Sequence, residues 1–184
     1  MVVLASASPR RRELLGRLLD TFDVRPSDIP EVLGAGPLEA AVAALALAKA
    51  RAVAASVPGA VVLGADTIVC IGTEVFGKPA DAGEAREMLR RLRGRWHEVI
   101  TGVAAVAGDR EATVSVVSRV LMAGVDDAAI DAYVATGEPL DKAGAYAIQG
   151  AGGSLVAGLV GSYTNVIGLP LAETAALLAS FGVL

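Results

Sequence analysis

Cysteine and histidine are almost absent: the 184 residues hold one of each, Cys70 and His97. A lone cysteine has no partner for an intrachain disulfide. A lone histidine rules out His-rich metal sites and argues against the Ser-His and Cys-His pairs of nucleophilic catalysis, so any metal must be held by carboxylates. No apolar run approaches the roughly 20 residues of a membrane span. In MVVLASASPRRR the charges follow the apolar piece, the reverse of a secretory leader, so the expected location is cytoplasmic. Positive charge is also short, with a net charge of -4 and a pI near 5.0. That balance counts against broad nucleic-acid binding and leaves local basic clusters to receive phosphate. What the chain does have is apolar mass: 54% of its residues can bury a sizeable core, as one domain over 1–184 or as closely fused lobes.

Strand and helix patterns alternate. VVLA reads as a short buried strand, and Ser8 and Pro9 then supply an N-cap and first helical position for RRRELLGRLLD. TFDVRP reads as a second strand, and PLEAAVAALALAKARAVAASV as a long alanine-rich helix. VPGAVVLGADTIVCIG is one or two strands too apolar to show a solvent face. DAGEAREMLRRLRG has helical spacing from Asp81 to Gly94, and HEVITGVAAVAGDREATVSVVSRVLMAG reads as a long hairpin turning at Gly108-Asp109. DDAAIDAYVATGEP follows as a short helix ended by Gly137. A glycine-rich, irregular stretch comes next, with a strand at SLVAGLV, and LPLAETAALLASFG closes the chain as a helix. The pattern predicts a single mixed α/β architecture.

The informative residues are polar ones in apolar registers. On the first helix the stripe Leu14, Leu15, Leu18 and Leu19, stepped back by four from its first two members, lands on Arg10 and Arg11, which therefore lean inward. Arg12 lies off that stripe and is expected in solvent. Cations are disfavoured at a helix N-terminus, so their presence there points to an anion, which the Ser8 hydroxyl and the first-turn N–H groups would also bind. Lys49 shares a stripe with Val42, Leu45 and Val53 and must either snorkel to solvent or meet a partner. Asp66 sits inside VVLGADTIVC, where an ionised carboxylate loses several kcal/mol of hydration unless paired or metal-bound. Thr67 projects to the opposite face if that strand is regular, and into the same cleft if the strand ends there. Glu31, in the loop SDIPEV, could join Asp66 as an oxygen ligand for Mg²⁺.

GTEVFGK fits the phosphate-loop pattern G-x-x-x-x-G-K, but Pro79 stands where a serine or threonine must hold the metal, and Thr73, Val75 and Phe76 are hairpin chemistry. Lys78 beside that turn remains able to reach a phosphate. Arg86, Arg90, Arg91, Arg93 and Arg95 form either a solvated helix face or a surface for nucleic acid or a partner.

In order along the chain, LASASPRRREL, ALAKARAV, VVLGADTIV, VFGKPADAGEAREML, HEVITGVA, YVATGEPLDKAGAYAIQG and GSYTNVIGLPL resemble the Maf family of nucleotide pyrophosphatases over nearly its whole length. The resemblance implies an elongated mixed α/β fold similar to that of the inosine triphosphate pyrophosphatases, with two lobes flanking a nucleotide cleft and often a homodimer. It implies hydrolysis of nucleoside triphosphates to the monophosphate and pyrophosphate with a divalent cation, Mg²⁺ or Mn²⁺. Carried over, it makes Asp66 the catalytic carboxylate, as proton acceptor or metal ligand. It places Ser8, Arg10, Arg11, Lys49 and Lys78 around the phosphates and Glu31 near the metal, and gives base selection to Arg10, Thr67 and Gln149. DKAGAYAIQG is similar to the subgroup acting on dTTP and UTP. An imide N–H between two carbonyls suits the donor and acceptor of the Gln149 amide, with Arg10 donating to a carbonyl. The departures are Arg12 and Arg93, both expected at the surface, and Ala147, where the family has glycine. A nucleotide-sensing or nucleic-acid-binding regulator of cell division that uses the same site without turnover is the alternative.

Overall fold

The computed structural model describes residues 1–184. The elements in chain order are β1 (Val2–Leu4), α1 (Pro9–Leu15), β2 (Asp23–Val24), α2 (Leu38–Ala54), β3 (Val61–Ile71), β4 (Glu74–Phe76), α3 (Ala82–Leu92), β5 (Trp96–Ala107), β6 (Arg110–Met122), α4 (Asp127–Val134), β7 (Val156–Val160), α5 (Tyr163–Ile167) and α6 (Leu171–Ser180). The strands form one seven-stranded sheet in the order β2-β1-β3-β5-β6-β7, with β4 paired to β3. β1 runs parallel to β2 and β3, whereas β3–β4 and β6–β7 are antiparallel, so the sheet is mixed, within the α/β architecture that the sequence predicts. No helix is long and apolar enough to cross a membrane.

The chain divides into two compact units, the first comprising Met1–Thr67, Ile100–Val116 and Thr164–Leu184, the second Ile68–Val99 and Val117–Tyr163. In the first unit the core joins Val3, Ala5, Val62, Ala104 and Val106 of the sheet to Ala46, Ala50 and Val53 of α2. The alanines let α2 lie unusually close to the sheet. A Cβ on Gly64 of β3 would stand 2.2 Å from the Ala46 carbonyl oxygen, and one on Gly102 of β5 would stand 2.6 Å from that of Val42. Only glycine admits the helix backbone at both points.

In the second unit α3 starts at the Asp81 cap, whose side chain accepts from Glu84 N–H, and buries Ala85, Leu89 and Leu92. α4 is capped in the same way by Asp126 and buries Ile130, Tyr133 and Val134. Acid side chains at both helix starts satisfy otherwise orphaned N–H groups.

Four local expectations change. The first helix stops at Leu15, where Gly16 follows and the chain tightens into three-residue turns, leaving Leu18 and Leu19 half-buried beyond the helix. The second strand shrinks to Asp23–Val24, and the stretch SYTNVI expected to be irregular forms α5. Arg93, expected at the surface, is half-buried, because its guanidinium donates to the Val125 carbonyl at 3.3 Å and to Asp127 at 2.8 Å. The phosphate-loop pattern is a hairpin, as Thr73, Val75 and Phe76 indicate in the sequence: Gly72 turns at φ +59° and Glu74–Phe76 pairs back on Val69, Cys70 and Ile71.

Candidate active site

Lys49 settles its two alternatives. It does not snorkel; it is 4% exposed, and its Nζ donates to Asp66 Oδ1 at 2.7 Å and to Glu31 Oε1 at 2.6 Å. The close seating of α2 over Gly64 brings its buried stripe onto β3 two residues from Asp66. Asp66 is 8% exposed and Glu31 is largely open to solvent, so one buried ammonium joins a buried carboxylate to an exposed one. The second oxygen of Asp66 takes no hydrogen bond from the protein, which leaves it open for a water or a cation.

β3 continues regularly past this point, so Thr67 turns away from Lys49 and toward α1. β1 pairs with β3 only over Val61–Leu63, and no further strand covers that edge along 64–67. The loop leaving β1 occupies the neighbourhood instead. Ser8 caps α1, its Oγ accepting from Arg11 N–H at 3.4 Å, and Ser8 N–H donates to Ser6 Oγ at 3.3 Å.

Arg10 and Arg11, paired by the helical argument, have different surroundings. The Arg11 guanidinium is a clamp: Nε donates to the Gly168 carbonyl at 2.9 Å, Nη1 to Ser6 Oγ at 3.3 Å and Nη2 to Thr67 Oγ1 at 3.0 Å. Burial pushes its pKa below the ordinary value, while Asp66 and then Glu31 pull it back up. Arg10, close enough to oppose it, makes no hydrogen bond, and its Nε is buried without a partner. Arg11 therefore orders the site and Arg10 is the cation left unsatisfied. Arg12 is exposed.

Lys78 and Gln149 belong to the second unit. Lys78 follows β4, and the preceding Gly77 carbonyl accepts from Gly144 N–H at 3.1 Å, which ties this turn to the loop that leads to Gln149. That loop is pinned on both sides of Gln149. Ala147 N–H donates to Tyr133 Oη at 3.1 Å, and Gly152 N–H to Glu138 Oε2 at 2.9 Å. A Cβ on Gly152 would stand 2.3 Å from the Ala147 carbonyl oxygen. The half-buried Gln149 side chain itself makes no hydrogen bond to the protein. His97 supports the same loop from within, its Nε2 lying 2.7 Å from Tyr146 Oη, and burial lowers its pKa from 6.5 to about 4.

The arginine run of α3 is spoken for. Arg86 pairs with Asp131, Arg90 with Glu87 at 2.6 Å and Asp127 at 2.9 Å, and Arg91 with Glu74 while stacking on Phe76. Arg95 donates to the Arg91 carbonyl at 3.4 Å. These pairs knit α3 to α4 and β4.

Ser6, Thr101 and Gly168 were not singled out in the sequence, yet they hold Arg11 and Thr67 in place. The available signal was Thr101, a hydroxyl between Ile100 and Gly102 in an apolar strand; the carbonyl of Gly168 leaves no trace in sequence.

Lys49, Arg10 and Arg11 are thus gathered with Asp66 and Glu31 around the middle of β3 and the start of α1, an arrangement with the charge to bind phosphate. The family model "Maf-like protein" matches residues 1–181, and the chain belongs to that family. It is 56% identical to a dTTP/UTP pyrophosphatase of Myxococcus xanthus over 99% of this chain and 93% of the relative. It is 57% identical to another of the same description from Anaeromyxobacter dehalogenans, over 98% and 94%. Among solved structures, the Ham1 protein of Staphylococcus aureus aligns over 67% of this chain and 72% of its own, at 14% identity and a TM-score of 0.47.

Proposed function

We propose that the protein hydrolyses dTTP and UTP to the nucleoside monophosphate and pyrophosphate. The observation that carries this reading is Lys49, buried between Asp66 and Glu31, beside an Arg10 whose guanidinium has no partner. The naming of relatives that match nearly end to end gives the same activity.

The product pair requires cleavage between the α and β phosphates, so water attacks the α-phosphorus in line as pyrophosphate leaves. Asp66 holds and deprotonates that water through its open Oδ2, while the Lys49 ammonium on Oδ1 fixes the orientation of the carboxylate. Arg10 supplies its unmatched charge to the phosphates, joined by Ser8 and Lys49, with Lys78 assigned to the same task by the resemblance. Arg11 lends charge while fixed by its three bonds to Ser6, Thr67 and Gly168. The resemblance assigns base reading to Gln149, which carries a free amide on a pinned loop, and to Thr67 and Arg10.

Glu31 and Asp66 form an oxygen-only pair, and no group of three or more His, Cys, Asp or Glu side chains exists to build a closed cage. Two carboxylates suit Mg²⁺ or Mn²⁺, which commonly take one or two carboxylates and complete their shell with water and substrate phosphates. Glu31 and Asp66 would hold such an ion, which would supply neutralisation of the charge developing on the leaving group. The reading also carries the expectation of a homodimer and of one functional domain over 1–184.

The test is pyrophosphate release from a panel of standard and modified triphosphates with Mg²⁺ or Mn²⁺. dTTP and UTP should lead the panel. Absence of pyrophosphate from both, or release of orthophosphate with a diphosphate product, would sink the proposal.

A further inference from the structure

A chain of hydrogen bonds runs inward from Arg11, and both of its ends have fixed polarity. Arg11 Nη2 donates to Thr67 Oγ1 at 3.0 Å, Thr67 Oγ1 lies 2.9 Å from Thr101 Oγ1, and Thr101 Oγ1 lies 3.0 Å from the Asn165 carbonyl oxygen. A guanidinium only donates and a carbonyl only accepts. Thr101 is fully buried, and its single proton lies on the bond to Asn165. The proton between the two threonines must then come from Thr67. Thr67 Oγ1 thus receives from Arg11, gives its only proton to Thr101, and keeps one open lone pair on a half-buried side chain.

We propose that Thr67 meets the substrate as a hydrogen-bond acceptor only, that the group it accepts from is the imide N–H of a uracil or thymine ring, and that Thr101 is the positioning residue that sets this polarity. The inference rests on the dTTP/UTP reading and goes further by assigning a direction to one contact and a role to a residue that touches no substrate. A uracil brings a proton to that contact and every bond of the chain survives. Cytosine presents a lone pair at the same ring position. To serve it, Thr67 must turn its proton outward, Thr101 must turn its own toward Thr67, and Asn165 loses the Thr101 hydrogen bond while the Gly168 N–H at 2.9 Å stays in place. The uracil complex therefore holds one hydrogen bond more, worth about fivefold in affinity.

Equilibrium binding of UMP, CMP and N3-methyl-UMP reads this contact without turnover, alongside steady-state pyrophosphate release from UTP and CTP. In Thr101→Val the inward acceptor is gone and Thr67 is free to donate either way. The UMP-to-CMP preference should narrow about fivefold, and the change in turnover should fall on KM rather than kcat. Thr101→Ser keeps the hydroxyl and should restore the wild-type ratio, which a merely structural role for the threonine methyl would not do. A wild-type ratio in Thr101→Val, or N3-methyl-UMP bound as tightly as UMP, overturns the inference. A ratio that narrows in Thr101→Val while the wild type releases no pyrophosphate from UTP would support the acceptor role and overturn the reaction. Normal turnover with an unmoved ratio does the reverse.

Discussion

Lys49 and Asp66 form a buried ion pair, Nζ to Oδ1 2.7 Å, that joins the middle of α2 to the middle of β3. The pair has one further partner, Glu31 at 2.6 Å from the same ammonium, and one open oxygen on Asp66. Structure and chemistry meet there: the contact that seats the helix on the sheet also gives the acidic group its cationic partner.

Asp66→Asn keeps the shape and an oxygen for Lys49 but loses the base. Turnover of dTTP and UTP should fall about 10²- to 10⁴-fold with substrate binding largely retained. Pyrophosphate release under saturating substrate checks this, and wild-type kcat in the variant would remove Asp66 from the reaction.

Lys49→Met leaves Asp66 buried with no cation in contact. Loss of one partner from a buried pair costs about 3–5 kcal/mol, seen as a lower denaturant midpoint at neutral pH. Asp66→Asn placed on top of Lys49→Met should recover part of that loss, because the stranded charge is gone. If the double variant is as unstable as the sum of the singles, the pair is not coupled.

Gly64→Ala would put a methyl 2.2 Å from the Ala46 carbonyl oxygen, backbone that cannot step aside without moving α2. A loss of about 1–3 kcal/mol or more is expected, with reduced kcat because Lys49 shifts with the helix. Gly34→Ala, in a loop with open space around it, is the control and should change neither.

His97 makes stability depend on acid. Its pKa falls from 6.5 to about 4 through burial, so between those values the unfolded chain binds a proton that the folded chain refuses. Stability is therefore fully present above pH 6.5 and is lost as the pH falls toward 4, by about 3 kcal/mol in all. Melting temperatures across that window should drop in the wild type, and the slope should flatten in His97→Gln. An equal slope in both would assign the acid sensitivity elsewhere.

Local rules carried far along this chain. Asp81 and Asp126 cap α3 and α4, Gly108-Asp109 turns the long hairpin, and Pro79 in place of a hydroxyl already marked GTEVFGK as something other than a phosphate loop. These depend on neighbours within a few residues, where side-chain chemistry and backbone preference act directly. The end of α1 and the presence of α5 escaped because short helices take their stability from packing rather than from propensity.

By itself the amino-acid order determined which residues are out of place: a lysine in an apolar helix stripe, a carboxylate in an apolar strand, arginines at a helix start. Their partners were decided by tertiary structure alone. Lys49 finds Asp66 because two glycines on separate strands let one helix approach, and Arg10 is free while Arg11 is bound because a distant carbonyl, Gly168, reaches only one of them. Burial penalties are local and can be read from a pattern, whereas the group that answers a buried charge lies wherever the folded backbone brings it.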